Sequence, residues 1–149
     1  LMLGSTGTPT PFEKEVEKEI GNAGLLGHVQ IGPYVEDMPA AYRLADVVVA
    51  MAGAPHGFSR TLAEAQAMGR PVVAEEGGAA IEVMLPGTTG WLAKPNDPVS
   101  LAESLAAALA LSTEARADLA RAAQDLVRSR FDLAATNREL LQLYNRLAD

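Results

Sequence analysis

The sequence predicts an α/β fold: a Rossmann-like doubly wound parallel sheet followed by C-terminal helices. Three observations carry that prediction. Short apolar runs alternate with amphipathic stretches as far as Leu92, the runs are rich in Val, Leu and Ile, and everything after Asp97 has helical spacing. Alternation of this kind is the pattern of βα units. Short runs dominated by Val, Leu and Ile suit parallel strands covered on both faces.

The strand-like runs are Leu1–Leu3, His28–Ile31, Val47–Ala50, Val72–Ala74 and Gly90–Leu92. All five are expected to be adjacent in one parallel sheet. Helices are expected between them at about Phe12–Ala23, Met38–Leu44, Arg60–Met68 and Ala79–Met84. Asp37 is placed to cap one of them, with Pro39 in its first turn, and Gly69 before Arg70-Pro71 ends another. The last third is helical. Asp97-Pro98 is an N-cap followed by proline, and Leu101, Leu105 and Leu109 keep a four-residue spacing. Ser112-Thr113-Glu114 opens a second helix running to about Arg130. Asp132 caps a third, with Leu133, Leu140, Leu143, Tyr144 and Leu147 as its apolar stripe. Short connections favour packing of these helices on the sheet.

A length of 149 residues matches one globular domain with one core. Apolar residues make up 48% and charged residues 21%, the balance of a folded soluble protein. The net charge of −7, from 12 basic and 19 acidic residues, argues against nucleic acid as a partner, because a binder of phosphate backbones needs a basic face. An anionic ligand must therefore be held locally, by backbone N–H groups or a few placed side chains. Cysteine is absent, so disulfides, thiolate metal sites and cysteine nucleophiles are excluded. His28 and His56 lie far apart and show no metal-ligand spacing, and no metal is expected. No run is long enough to span a membrane and no signal peptide is visible, so the cytoplasm is the expected location. Leu1-Met2-Leu3-Gly4 has the pattern of a strand end entering a Gly/Ser/Thr/Pro loop without an initiator methionine. The chain is accordingly expected to be a fragment.

The candidate chemistry lies in the segment from Ala54 to Ala74. The loop after Val47–Ala50 is at the carboxyl edge of the expected sheet, where open parallel sheets bind ligands. It leads into a helix whose first N–H groups have no partner within the helix and carry partial positive charge. Gly57 and Ser59 are small enough to let a ligand approach the backbone. Glu64, about one turn into the helix, can accept two hydrogen bonds from a diol. A helix-start carboxylate stabilised by the dipole is the alternative role for it. His28 is expected at the surface and Trp91 as a packing residue. The Glu13-Lys14-Glu15 and Glu17-Lys18-Glu19 runs are expected to form a solvated helix face.

The wording of this segment is more specific than its chemistry. Together with Gly77-Gly78-Ala79-Ala80-Ile81-Glu82-Val83, Pro86-Gly87-Thr88-Thr89-Gly90-Trp91-Leu92, Pro95-Asn96-Asp97-Pro98 and Arg130-Phe131-Asp132, it resembles the carboxyl-terminal, donor-binding domain of group 1 retaining glycosyltransferases of the GT-B fold. The resemblance begins by Val35-Glu36-Asp37-Met38 and spans nearly the whole chain. It implies one half of a GT-B fold that binds a nucleoside-diphosphate sugar as donor substrate, with no cofactor and no metal. Two glutamates separated by seven residues flank the phenylalanine loop in that family, and the second, here Glu64, holds the ribose hydroxyls. The backbone around Phe58, Ser59, Arg60, Thr61 and Leu62 would face the sugar and diphosphate, after Gly57. Gly32, Tyr34 and Val35 would lie on the nucleobase side. His56 takes the place of the family's first glutamate, and Ser59 that of a glycine, and both departures bear on sugar recognition.

The resemblance further implies that a first βα unit, with basic residues for the diphosphate, and an amino-terminal acceptor domain lie outside these residues. The acceptor, a glycan or lipid-linked glycan, would be held by that domain, and the chain alone would be inactive. The Glu64-Ala65-Gln66-Ala67-Met68-Gly69 run is similar to enzymes of lipopolysaccharide or capsule assembly, which would place the complete protein at the periphery of the inner membrane. Two rival readings stay open: a nucleotide-sugar epimerase on the same fold, and a degenerate half-domain that has kept binding and lost catalysis.

Overall fold

A computed structural model describes residues 1–5, 7–51, 57–78 and 80–148. In chain order it forms β1 (Met2–Ser5), α1 (Pro11–Asn22), β2 (Ile31–Pro33), α2 (Met38–Leu44), β3 (Val48–Ala50), α3 (Arg60–Ala67), β4 (Val72–Glu75), α4 (Ala80–Val83), β5 (Gly90–Ala93), α5 (Pro98–Leu109), α6 (Thr113–Phe131) and α7 (Leu133–Ala148). The alternation of β and α elements, all strands parallel within their sheets, is the expected fold class. The chain divides into two compact units, residues 1–41 and 42–149.

The first unit is β1 paired with β2, plus α1. Thr10 opens α1 with a capping box: its hydroxyl accepts from the Glu13 N–H at 3.2 Å, and Glu13 Oε2 accepts from the Thr10 N–H at 2.6 Å. The Thr10 N–H first, then the Ser5 and Thr10 side chains, hold the Glu13 carboxyl below the ordinary glutamate range. The other charges of the two Glu-Lys-Glu runs are exposed, as expected, and so is His28. The strand expected at His28–Ile31 is displaced to Ile31–Pro33. Proline cannot donate to a ladder, but among the described residues β2 is paired with β1 alone, and an edge strand tolerates it.

The second unit is built around β4, the central strand of the ladder β3-β4-β5. Val72, Val73 and Ala74 are at most 1% exposed. α5 packs on β4 and β5, α3 on β3 and β4, and α6 on α3. Leu62, Val83 and Met84 complete this core with Leu119, Ala123 and Leu126 of α6. β4 and β5 run so close that a Cβ on Gly90 would lie 2.5 Å from Val72 Cγ2 and from the Val72 carbonyl oxygen. Trp91 stands on β5 opposite Val73, half-buried against the sheet. The Asp97 side chain accepts from Val99 and Ser100, Ser112 from Ala115, and Asp132 from Ala135, so the three expected caps open α5, α6 and α7.

Two expectations are corrected. The five strands do not form one continuous ladder; the pairs are β1-β2 and β3-β4-β5, with none joining the two sets among the described residues. The second correction concerns α7. It meets α6, but none of its residues is buried, and Leu133, Leu140, Leu143, Tyr144 and Leu147 are 43–74% exposed. Its stripe follows helical periodicity without covering the sheet.

Candidate functional site

β3 ends at Ala50, and the chain re-enters the described structure at Gly57, ahead of α3. His56 lies outside the described residues, as do Ala54 and Pro55 beside it. Gly57 and Phe58 are exposed and lead to Ser59, the N-cap of α3, whose backbone is extended at φ −89° and ψ 95°. Any L-residue adopts that conformation, so serine fits where the family carries glycine. The Ser59 side chain makes no capping bond. The first turn closes through the Ala63 N–H to the Ser59 carbonyl at 3.2 Å. The preceding N–H groups, of Arg60, Thr61 and Leu62, are those that helix geometry leaves without an intrahelical partner.

The side chains around this N-terminus divide by burial. Arg60, Thr61 and Glu64 are exposed, while Leu62 is 1% exposed and belongs to the core. The Leu62 side chain is therefore closed to a ligand, which leaves its backbone for the expected contact. Phe58 is 53% exposed, yet its ring is held edge-on by Phe131, with centroids 5.1 Å apart and planes at 68°. The last residue of α6 thus holds Phe58 just ahead of α3.

Glu64 has a partner that sequence patterning did not indicate. The hydroxyl of Tyr42, in α2, donates to Glu64 Oε2 at 3.0 Å. Tyr42 is 5% exposed, so its ring is core and its hydroxyl reaches the surface carboxylate from below. Burial holds this phenol above its ordinary value, the hydrogen bond to Glu64 and the Glu64 charge add to the shift, and Thr61 and Arg60 oppose it. The group accordingly stays protonated, a donor, through neutral pH. The signal available in the sequence was weak: an aromatic residue four positions after Met38 on a short helix, indistinguishable from a packing residue.

The far end of α3 is fixed independently. Gly69, at φ +67°, donates to the Gln66 carbonyl, and Arg70 donates to the Ala65 carbonyl at 2.9 Å, a Schellman closure. Buried Gln66 donates to the carbonyls of Leu62 and Val83, tying α3 to α4. Arg70 Nη1 donates to the Ala45 carbonyl, and Arg116 Nη1 of α6 to that of Asp46. The helix carrying Glu64 is therefore rigidly seated.

The residues expected on the nucleobase side belong to the first unit. Gly32 is on β2, where an added Cβ would meet Leu3 Cδ2 at 3.0 Å. The Tyr34 N–H donates to the Ser5 carbonyl at 2.8 Å, leaving its ring 69% exposed, and Val35 is half-buried. Gly57, Phe58, Ser59, Arg60, Thr61, Leu62 and Glu64 come together at the start of α3 in the second unit. Among the described residues no group of three His, Cys, Asp or Glu is placed to hold a metal ion, and no helix is long and apolar enough to cross a membrane.

Comparison with known proteins gives the family. Residues 6–126 match the family "Glycosyl transferases group 1". A D-inositol 3-phosphate glycosyltransferase of Xylanimonas cellulosilytica is 38% identical over 112 residues, which are 74% of this chain and 26% of the relative. The Anabaena protein Alr3699/HepE, solved in complex with UDP, superposes with a TM-score of 0.84 at 29% identity, covering 89% of this chain and 36% of that one. A glycosyltransferase from Rickettsia africae superposes with a TM-score of 0.92 at 28% identity, covering 99% of this chain and 39% of that one. This chain thus spans between about a quarter and two fifths of each of these three proteins. With the match extending over most of its length and its parallel sheets flanked by helices in the same way, the chain belongs to the group 1 glycosyltransferases of the GT-B fold.

Proposed function

We propose that this chain is the donor-binding part of a glycosyltransferase that takes a nucleoside-diphosphate sugar and transfers the sugar to an acceptor hydroxyl. The observation that carries the reading is Glu64: an exposed carboxylate on a rigidly seated helix, one turn from an N-terminus whose N–H groups are not capped by Ser59. A diol bound by the carboxylate and a diphosphate at the N–H groups would be two parts of one nucleotide. The UDP complex of the Anabaena relative supports the same ligand class.

In the reaction, the bond between the anomeric carbon and the diphosphate oxygen breaks and a bond to the acceptor oxygen forms, the acceptor proton being released. Negative charge grows on the departing diphosphate. Backbone dipoles already pointing at it stabilise that charge without reorganising. Phe58 and its neighbours would flank the sugar, with His56 replacing a carboxylate among the groups that read its hydroxyls. A neutral imidazole offers one donor and one acceptor where a carboxylate offers acceptors alone. Retention of configuration is the course the family resemblance implies.

On this reading a further βα unit and the acceptor domain belong to polypeptide beyond these residues. The share of the relatives' length that is matched supports that. The acceptor stays a broad class: the Glu64–Gly69 run supports a cell-surface polysaccharide such as lipopolysaccharide, and the Xylanimonas relative's name supports a polyol phosphate. The non-catalytic alternative draws on His56 and Ser59; at Ser59 the extended backbone accommodates serine without strain.

The test is calorimetry of nucleotide binding to the complete protein. Charge-assisted hydrogen bonds contribute roughly 1.5–3 kcal/mol each. With solvent competing at an exposed carboxylate, Glu64→Ala should weaken UDP binding about ten- to a hundredfold. An unchanged dissociation constant would remove Glu64 from the site.

A further inference from the structure

We propose that Tyr42 is a positioning residue for the nucleotide, holding the Glu64 carboxylate in the orientation that receives the ribose diol. The proposal rests on the reading of Glu64 as the ribose ligand. Its basis is the 3.0 Å bond from the Tyr42 hydroxyl to Glu64 Oε2 and the contrast in burial between the two side chains. A glutamate on an exposed helix face rotates freely about three side-chain bonds, and ordering it on binding costs affinity. Tyr42 removes part of that cost in advance. Its ring is locked in the core, so its hydroxyl is a fixed point, and a carboxylate anchored through one oxygen has its remaining acceptor sites aimed in a set direction.

The bond also selects what the carboxylate can accept. An ionised carboxylate has about four acceptor sites, of which Tyr42 occupies one. Two ribose hydroxyls can take the sites of Oε1 and the outer site of Oε2. Arg60 and Thr61, one turn earlier on α3, are exposed on the same helix start and act on the same phenol. The tyrosine is thus part of a small polar group around Glu64, and its hydroxyl is more than an isolated tether between α2 and α3.

A tether and a positioning residue give different results. Binding of UDP and of its 2′-deoxy analogue is measured by calorimetry on the complete wild-type protein, Tyr42→Phe, Glu64→Ala and the double variant. Tyr42→Phe keeps the buried ring and removes the hydroxyl. It should weaken UDP binding about three- to tenfold, the range expected for one hydrogen bond, and weaken binding of the deoxy analogue by less. In the Glu64→Ala background the same substitution should have no effect on either ligand. The ratio between the two ligands is taken on one sample, and the stoichiometry counts the folded fraction, so partial unfolding does not imitate the result.

A second variant sharpens the test if Tyr42→Phe folds poorly. In Glu64→Gln the amide oxygen accepts from Tyr42 and turns the amide N–H groups towards the diol, so discrimination between UDP and the deoxy analogue should shrink. Equal loss of both ligands in Tyr42→Phe, with the ratio kept and only the melting temperature lowered, would make Tyr42 a structural tether and overturn the proposal while leaving Glu64 in its role. A ribo/deoxy ratio unchanged in Glu64→Ala would overturn both.

Discussion

β1 and β4 are both four-residue parallel strands, yet their side chains meet opposite fates. In β4, Val72, Val73 and Ala74 are essentially without solvent contact, whereas in β1, Met2 and Leu3 are 44% and 38% exposed. β4 has a neighbour on either side and helices packed on it; among the described residues β1 is paired on one edge alone. The contrast extends to the whole of each unit. None of the described residues before Ala41 is buried, while the larger unit contains the entire core. Burial of apolar area is the main favourable term in folding, at roughly 25 cal/mol per Å². The unit that carries Glu64 therefore has its own source of stability, and the unit that carries Gly32, Tyr34 and Val35 has little.

The largest expected effect breaks this contrast from its strong side. Gly90 on β5 and Gly32 on β2 both sit on parallel strands beside a partner. A Cβ on Gly90 would collide at 2.5 Å with the Val72 carbonyl and side chain and at 2.6 Å with Met84, all held in the core. On Gly32 the same atom would meet Leu3 and Leu1 at 3.0 and 3.3 Å, both exposed side chains able to turn away. Gly90→Ala should cost about 3 kcal/mol or more, lowering the melting temperature by roughly 6–12 °C at this chain length. Gly32→Ala should shift it by no more than about 2 °C. Parallel thermal melts of the two variants check this. Equal shifts would mean that the first unit is as tightly packed as the second.

Hydrogen exchange sharpens the same contrast without a substitution. Exchange from buried ladders proceeds through global opening, and exchange from exposed elements through local opening. Amides of Val73 and Ala74 should be the slowest in the chain, with those of Met2, Leu3 and α1 faster by at least about two orders of magnitude. Comparable protection in β1 and β4 would refute the assignment of stability to the larger unit.

What the sequence made legible follows from which interactions are local. Met38–Leu44 falls where expected, and Asp37, Asp97, Ser112 and Asp132 cap as expected, because a cap is decided within three or four residues. Strand partners are decided elsewhere in the chain. Five apolar runs looked like five adjacent strands, and no feature of Leu1–Leu3 or Val47–Ala50 states which strand lies beside it. The stripe of α7 has the period of a packing helix whether or not anything covers it. β2 was misplaced because His28–Ile31 has better strand residues than Ile31–Pro33, while a proline on an edge strand costs no ladder bond. At the candidate site, Glu64 and the phenylalanine loop were legible through the family's wording. Tyr42 and the contact of Phe131 with Phe58 were not, since they join residues 22 apart in one case and α6 to the loop before α3 in the other.

The smallest expected effect concerns that last contact, and it asks whether the loop before α3 shares in the stability of the unit behind it. Edge-to-face aromatic pairs contribute about 0.5–1.5 kcal/mol beyond their buried area. Phe58 is half in solvent, so the lower end applies. Phe131→Leu keeps an apolar side chain at the end of α6 and removes the ring edge that faces Phe58. The melting temperature should fall by about 1–2 °C, since each kcal/mol is worth some 2–4 °C at this size. Binding should respond differently from stability. Phe58 stands between the residues expected to read the sugar and the helix expected to hold the diphosphate, so a less ordered loop should weaken binding of a nucleotide sugar two- to threefold, by roughly 0.5 kcal/mol, and leave binding of the bare nucleotide, anchored at Glu64, nearly unchanged. Calorimetry with UDP and UDP-glucose as probes on the complete protein separates the two. Equal losses for both ligands would mean that the Phe131 contact supports α3 as a whole and not the position of Phe58 alone.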